Sequence, residues 1–482
     1  MINLIYNEFS EGNMLKSYLC IVLAVLQAFL FSISSIGKTQ MIGVNEFMEH
    51  QVFESFGTSS AWWSQTIDTD ERAREIARLL YDDETGLGLD IYRYNIGGGE
   101  KENPACRIGD PNRRTESFYV LNEETGEYEY DFTRDANARR MLNYAVEYGA
   151  TKVILFCNSP HFSMTASGHA SGGLTKGASN LPEENYEAFV DYVLTVADWF
   201  VAQGYPIYAI SPINEPQWDW GGDWVGQEGC HYTADETVEV LEMFALEMQK
   251  RKSPYKLSGP ESGELSPGYY EYVDKFFASP VLNEFCDSIS AHSYWLDNNI
   301  PVKEQFGKKM AEQYPDKKFE MSEWCELPLT IDSTTIDSGL YMANIIVQDF
   351  NCMNAVSWQS WTAVNGDGLM EIRDGELVIY NRYYAYKQFS NFIKPGMVRV
   401  DVLDSFKDDS KIASTAFRND GETVIVLVNN AETESEIRLA GFYEEMQKFV
   451  TDSSHNCEEI YSGGFEKKNT LSPKSITTIL LR

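Results

Sequence analysis

Two glutamates of this chain stand where short apolar segments end. Glu215 follows the apolar run 207–213, and Glu323 closes the segment 318–323. Two carboxyl groups that face one cavity can cleave a glycosidic bond, because one protonates the departing oxygen while the other attacks the anomeric carbon. Alternation along a strand turns Glu320 to the face opposite Glu323. We therefore predict a catalytic pair, with Glu215 as acid and base and Glu323 as nucleophile.

The elements that would position this pair alternate between strands and helices. Eight short apolar segments are separated by amphipathic helical stretches, an order typical of a (β/α)8 TIM barrel. The predicted strands are 53–58, 91–96, 152–157, 207–213, 256–260, 288–292, 318–323 and 355–360. Active sites of such barrels lie at the C-terminal ends of the strands. Strands four and seven lie across the mouth from each other, so side chains at their ends can approach the separation of about 5 Å found in retaining glycosidases.

Loops after strands three and four are expected to shape the site. Residues 159–182, rich in Gly and Ser, and residues 217–233, rich in Trp and Gly, are long segments, and we expect them to form adaptable walls. Trp218, Trp220 and Trp224 either line sugar subsites there or rigidify the loop. Glu326 follows strand seven and is expected to be a surface residue.

The C-terminal region has a different pattern. From residue 391 onward, short strands separated by Asp, Asn and Gly turns replace the helical periods. We predict a barrel domain over 53–390 and a β-sandwich domain over 391–482. A strand-like segment at 38–52 can pair into this sandwich, which would then be a side domain built from both ends of the chain.

The N-terminal region, residues 1–37, has the pattern of a signal peptide. Lys16 precedes an apolar run at 18–33, and a small-x-small cleavage site follows at 35–37. Glu8 and Glu11 fit a signal sequence poorly, so translation is expected to begin at Met14. The pattern predicts secretion to an extracytoplasmic location, and a retained membrane anchor is the alternative.

The overall composition excludes several classes of function. The formal charge is −34 and no Lys/Arg cluster occurs, which argues against nucleic acid and against anionic membranes as partners. A neutral polysaccharide or oligosaccharide fits this acidity better, and solubility alone also explains it. The oligomeric state is not determined by the sequence.

Motifs for cofactors and metals are missing from the sequence. Gly86-Leu87-Gly88 precedes a strand rather than a phosphate-binding helix, and no HExxH or GxSxG motif occurs. The seven cysteines after Cys20 contain no zinc spacing. Of these, Cys157, Cys286 and Cys325 are expected to be buried small residues. The predicted chemistry needs no cofactor and no metal.

Several segments resemble one known family. Asn214-Glu215-Pro216 on strand four, with Glu323 on strand seven, is similar to clan A of the retaining glycoside hydrolases. Within this clan the chain resembles glycoside hydrolase family 30 over essentially all of residues 42–482. The segments that carry this resemblance are Phe56–Ser59, Trp62-Trp63, Arg93–Gly99, Asn158–Pro160, Met321–Trp324 and Gln388–Ser390.

This resemblance implies roles for other residues at strand ends. Arg93 would keep the nucleophile ionised, and Asn214 would bond the sugar 2-hydroxyl. His292 and Tyr294 would contact the sugar or Glu323. Trp361 would form a platform under the bound ring. Asn158 and Trp218 complete the predicted substrate-binding set, and each of these residues has an alternative role in core packing.

The resemblance is strongest to one subfamily, the endo-β-1,6-galactanases. It rests on Ser159-Pro160, Met164-Thr165, Ser167-Gly168, Asn180-Leu181 and Gln227–His231. It implies an endo-acting enzyme on the side chains of arabinogalactan. A β-1,6-glucanase, a xylanase or a glucosylceramidase-like enzyme remains open, since specificity is determined by loops. A non-catalytic carbohydrate-binding protein is the alternative from another class.

Overall fold

The computed structural model describes residues 22–23, 25–27, 39–406 and 410–482. Most of the predicted signal region therefore lies outside the described residues. In the part that is described, no helix is long and apolar enough to cross a membrane. The chain divides into two compact units. We call the one that contains 55–330 and 355–379 the barrel unit, and the one that contains the described residues of 22–54, 331–354 and 380–482 the sandwich unit. Domains bounded at 53–390 and 391–482 remain our proposal.

The strands are, in chain order, β1 (Gln40–Val52), β2 (Ser55–Ser59), β3 (Ile91–Asn95), β4 (Tyr119–Leu121), β5 (Tyr128–Tyr130), β6 (Lys152–Phe156), β7 (Ile207–Ser211), β8 (Lys256–Leu257), β9 (Pro260–Ser262), β10 (Ser288–His292), β11 (Lys318–Trp324), β12 (Ala355–Thr362), β13 (Met370–Arg373), β14 (Glu376–Ile379), β15 (Val398–Asp404), β16 (Ile412–Arg418), β17 (Thr423–Asn429), β18 (Ser435–Leu439), β19 (Glu445–Thr451), β20 (Asn456–Gly464), β21 (Lys468–Leu471) and β22 (Ser475–Leu481). The α-helices of the same described residues are α1 (Asp70–Tyr81), α2 (Ala136–Tyr148), α3 (Tyr186–Ala202), α4 (Ala234–Arg251), α5 (Tyr270–Ala278), α6 (Pro280–Phe285), α7 (Ile300–Gln313), α8 (Ile336–Met353) and α9 (Asn381–Ser390).

The barrel unit contains a parallel sheet with the order β8-β7-β6-β3-β2-β12-β11-β10-β9. Its two outermost strands, β8 and β9, are consecutive pieces of one chain segment, so the sheet closes through this segment. Ser258 N donates to Ile210 O on one side at 2.8 Å, and Ser290 N donates to Gly259 O on the other at 3.0 Å. The predicted (β/α)8 barrel is therefore confirmed. The fifth strand was predicted as one run over 256–260, whereas the structure divides it into β8 and β9.

Helix α4 illustrates how the sequence sets the helices around this sheet. The Thr233 side chain accepts from Glu236 N, and the Glu236 side chain accepts from Thr233 N, which is a capping box. Its buried face follows the helical period and consists of Thr237, Val240, Leu241, Phe244, Ala245 and Met248. The helix ends at Lys252, which adopts a left-handed φ of 57°.

The sandwich unit contains a nine-stranded sheet, in which β1 pairs antiparallel with β15 and parallel with β18. The predicted side domain built from both chain ends is thus confirmed. A single hydrophobic cluster contains Ile42, Val400, Ile425, Met446 and Leu471 from strands far apart in the sheet order. The sheet must therefore fold onto itself to bury these side chains.

The strands predicted in this region are 398–402, 412–417, 423–428, 436–439 and 476–481, so β19, β20 and β21 of the sandwich unit were not predicted. The exposed strand β20 is rich in Glu, Ser and Gly, so it has no apolar alternation to detect. Cysteine burial was predicted correctly. The seven cysteines in the described part of the chain are free thiols, and Cys157, Cys286 and Cys325 are buried.

Candidate active site

Glu215 and Glu323 meet at the C-terminal mouth of the barrel, and both are buried. A carboxylate oxygen of each, together with a ring nitrogen of His292, lies within 4.8 Å of the others. Glu323 is in β11, whereas Glu215 follows β7 and has a left-handed φ of 46°. Such a backbone is costly for a residue with a Cβ and is concentrated at functional sites. The Glu215 N–H donates to Glu261 O at 2.9 Å.

The carboxylate of Glu323 is held by two donors. Arg93, in β3, donates to Oε2, and Tyr294 Oη donates to Oε1 at 3.0 Å. Burial raises the pKa of Glu323, and the charges of His292 and Arg93 oppose that rise. The donors favour the ionised carboxylate and fix its orientation.

His292 lies among three carboxylates. Nδ1 is 3.1 Å from Glu215 Oε1 and 3.6 Å from Glu323 Oε1, and Nε2 is 3.3 Å from Glu261 Oε2. Burial alone would lower the pKa of His292, but these three acidic side chains raise it to about 10. His292 is therefore an imidazolium at neutral pH.

The sequence did not identify Glu261, which comes directly after the predicted strand 256–260 and lies in β9, the second half of the split fifth strand. Its carboxylate accepts from Ser211 Oγ at 2.9 Å, from Ser258 Oγ at 3.0 Å and from Ser322 Oγ. Burial alone would raise its pKa, but the His292 hydrogen bond and the charge of Arg93 lower the pKa of Glu261 to about 2. Its position at a barrel strand end is the signal that could have identified it.

A row of amides extends from Arg93 along the barrel mouth. Arg93 donates to Asn214 Oδ1 at 3.2 Å, and Asn214 Nδ2 donates to Asn158 Oδ1 at 3.3 Å. Asn158 Nδ2 in turn lies 3.4 Å from Asn95 Oδ1. The structure thus brings the predicted residues Arg93, Asn158 and Asn214 together beside Glu323.

A cavity of about 610 Å³ opens over the two glutamates. Among the predicted site residues, Glu215, Glu323, Tyr294, Trp361 and Trp218 line it. Trp361 packs edge-on against Trp62, with ring centroids 5.4 Å apart, which fixes its indole in the wall. Arg93 and His292 lie behind this lining and contact its two glutamates, whereas Asn214 and Asn158 extend the row behind Arg93.

The loops after strands three and four are tied together, which corrects the expectation of adaptable walls. Bridges join Gly173 to Gly221 and Ser179 to His231. A Cβ on Gly221 would lie 2.2 Å from Gly173 O, so this glycine allows a close approach rather than flexibility.

The three tryptophans of the loop after strand four differ in their surroundings. Trp220 is buried, and its Nε1 donates to Glu215 O at 2.9 Å. Trp220 thus rigidifies the segment that carries Glu215. All three tryptophans line the cavity, and Trp224 is 52% exposed.

Glu326 is buried, which contradicts the prediction of a surface residue. Its Oε1 accepts from Thr330 N at 2.8 Å and from Thr330 Oγ1 at 2.9 Å. The loop after β11 folds back over its own start and encloses the carboxylate, which a strand-and-loop pattern does not reveal.

The atoms of Glu215, His292 and Glu323 are also spaced as metal ligands could be. A ligating imidazole must be neutral, and the raised pKa of His292 keeps it protonated at neutral pH. A metal ion would therefore have to displace that proton. The donor set fits proton transfer and carboxylate chemistry better than it fits a metal.

The family model described as O-glycosyl hydrolase family 30 matches residues 39–371 of this chain, which is more than half of it. The chain belongs to this family. It is an O-glycosyl hydrolase with a family-30 barrel and side β-domain, as the resemblance in its motifs predicted.

Relatives of this family-30 enzyme differ in what they are named for. An endo-β-1,6-galactanase of Hypocrea rufa is 24% identical over 78% of this chain and 79% of its own length. A glucuronoxylanase of Bacillus subtilis is 23% identical over 65% of this chain and 69% of its own. A solved structure titled as a conserved exported protein from Bacteroides fragilis is 24% identical and matches with a TM-score of 0.83, over 91% of this chain and 100% of its own. That structural match shows the fold.

Proposed function

We propose that this family-30 hydrolase is a retaining endo-β-1,6-galactanase in which Glu323 is the nucleophile and Glu215 the acid and base. The main support for the retaining mechanism is the distance between the two carboxylates. The 4.8 Å limit on their separation suits a retaining pair, whereas an inverting pair needs about 6.5–9.5 Å to admit a water molecule.

The charges around the pair favour these roles over the reverse assignment. Glu323 lies beside the positive charges of Arg93 and His292, which oppose the effect of burial on its pKa and favour its ionised form. Glu323 also has the Arg93 and Tyr294 donors that a nucleophilic carboxylate needs.

The reaction then follows a double displacement. Glu323 attacks the anomeric carbon while Glu215 protonates the departing oxygen, and a glycosyl-enzyme forms on Glu323. Glu215, now ionised, takes a proton from water, which attacks the same carbon and releases the sugar with its original configuration. Asn214 bonds the 2-hydroxyl, and Trp361 lies under the bound ring.

The substrate is proposed from two observations. The galactanase of Hypocrea rufa matches most of both chains. The cavity, about 610 Å³, is walled by the two joined loops and suits the flexible, hooked shape of a β-1,6-linked chain. Arabinogalactan is a polymer, so the proposal includes secretion of the enzyme by the predicted signal peptide.

A family-30 xylanase is the second candidate, because the Bacillus subtilis glucuronoxylanase also matches this chain.

The decisive experiment is hydrolysis of de-arabinosylated type II arabinogalactan, β-1,6-glucan and glucuronoxylan at matched concentrations, with product sizing. We expect short β-1,6-galacto-oligosaccharides from the first polymer and little release from the others. Faster cleavage of glucan or xylan would refute the galactanase proposal and leave the two-glutamate mechanism intact. Binding without any hydrolysis would refute both.

A further inference from the structure

Trp295 combines two unfavourable features at the edge of the cavity. It follows Tyr294 in the loop after β10 and has a left-handed φ of 61°. Its side chain is nevertheless 53% exposed and lines the cavity. A bulky residue rarely adopts this backbone, which glycine adopts without penalty.

The turn of this loop requires a left-handed backbone at position 295, but it does not require an indole side chain there. Both neighbours of Trp295 are anchored, since Tyr294 is buried against Glu323 and Leu296 is buried in the barrel unit. A turn between two anchored residues forces the φ of the residue between them. Glycine would satisfy this turn and would leave no large apolar side chain in water.

The position of Trp295 points to a ligand. The reactive sugar ring has to lie between Glu215 and Glu323, and Trp361 is proposed to lie under it. A half-exposed indole on a different loop is available to another ring of the same chain. The flat apolar face of a pyranose can stack on an aromatic ring, and this contact removes apolar surface of both groups from water.

We propose that Trp295 is the stacking platform of a sugar-binding subsite outside the reactive one, and that its strained backbone is retained for this purpose. The inference rests on the proposed function only in that the bound chain is the polymer that the enzyme cleaves. Any β-linked pyranose chain presents a face that can stack, so the platform does not depend on the galactose assignment.

The test is the variant Trp295→Gly, compared with the full-length wild-type enzyme. Relief of strain should keep the midpoint of thermal unfolding, Tm, equal or raise it. On β-1,6-galacto-oligosaccharides from disaccharide to hexasaccharide, kcat/KM should be unchanged for the shortest substrate cleaved and fall about tenfold for the longest. Trp295→Asn, which tolerates the left-handed backbone, should behave in the same way.

Two control variants distinguish the effect of relieving backbone strain from the effect of removing an aromatic side chain. Lys252→Gly relieves a left-handed φ of 57° at an exposed position that does not line the cavity. It should raise Tm and leave the dependence on chain length unchanged. Phe442→Gly removes an aromatic side chain that is 98% exposed and also lies outside the cavity lining. It should change kcat/KM neither on the shortest nor on the longest substrate.

Three results would refute the proposal that Trp295 is a stacking platform. These are an unchanged kcat/KM on the hexasaccharide, an equal loss on short and long substrates, and a lower Tm in both Trp295 variants. If the wild type cleaves xylo- or β-1,6-gluco-oligosaccharides instead of the galactose series, the galactanase proposal fails. The same comparison on that series then decides the role of Trp295.

Discussion

Nε2 of His292 lies 3.3 Å from Oε2 of Glu261, and both side chains are buried behind the catalytic pair. Glu261 makes no contact with the cavity, but it is one of three acids that oppose the effect of burial and raise the pKa of His292 to about 10. We propose that Glu261 is a positioning residue, which acts on Glu215 and Glu323 through the charge of His292.

Glu261→Gln should lower the pKa of His292 by about one unit or more, because the amide keeps the shape and removes the charge. Because folding raises the pKa of His292, protonation of this ring stabilises the folded state. The stabilisation is complete below pH 6.5, the ordinary pKa of the ring, and is lost as the pH rises through about 10. In the variant this stabilisation should be lost at a lower pH. NMR titration of the His292 ring measures the change directly. Glu320→Gln, which alters another buried carboxylate, should leave the His292 titration where it is.

Glu323→Gln should reduce kcat/KM by about 10⁴-fold or more, because the amide cannot form the glycosyl-enzyme. The folded state should persist, with some loss of stability from the uncompensated charge of Arg93. Glu320→Gln is the matched control in the same strand, since Glu320 faces away and accepts from Ser288 Oγ at 2.7 Å. Near-normal turnover in Glu323→Gln would refute its role.

Glu215→Ala should cleave the natural polymer poorly while still forming the glycosyl-enzyme from aryl glycosides with good leaving groups, which need little protonation. Added azide should then accelerate turnover and yield a β-glycosyl azide. An α-azide would indicate inversion, and an absence of azide rescue would contradict the acid and base role.

Glu228 provides a prediction about stability rather than catalysis. It is fully buried, accepts from Thr115 Oγ1 and from Gly98 N at 3.0 Å, and burial raises its pKa to about 8. Because folding raises the pKa of this carboxyl group, its protonated form stabilises the folded state. The contribution is complete below pH 4.5, the ordinary pKa of the group, and is lost as the pH rises through about 8. Glu228→Gln should therefore match the wild type near pH 5 and be more stable near pH 9, by an amount on the order of a few kcal/mol.

Denaturant unfolding at the two pH values measures this difference. The exposed substitution Glu123→Gln serves as the control and should not change the pH dependence. A Glu228→Gln variant that loses stability equally at both pH values would show that the ionised carboxylate, rather than the neutral acid, is the native form.

The sequence by itself determined the barrel and placed Glu215 and Glu323, the proposed catalytic pair, at its mouth. Alternating strands and helices specify a closed parallel sheet, and strand ends in such a sheet share one mouth. The apolar runs before Glu215 and Glu323 were long enough to locate both residues at that mouth.

Only the tertiary structure decided the surroundings of the pair. Glu261 lies in β9, the second piece of a strand that is split into pieces of two and three residues, which are too short for a periodic signal. Its partner His292 comes from the next strand. The burial of Glu326 depends on how a loop folds back. The left-handed backbone of Trp295 depends on which neighbours are anchored. Charge compensation, burial and backbone strain are properties of side chains brought together from distant positions, so local sequence patterns cannot encode them one at a time.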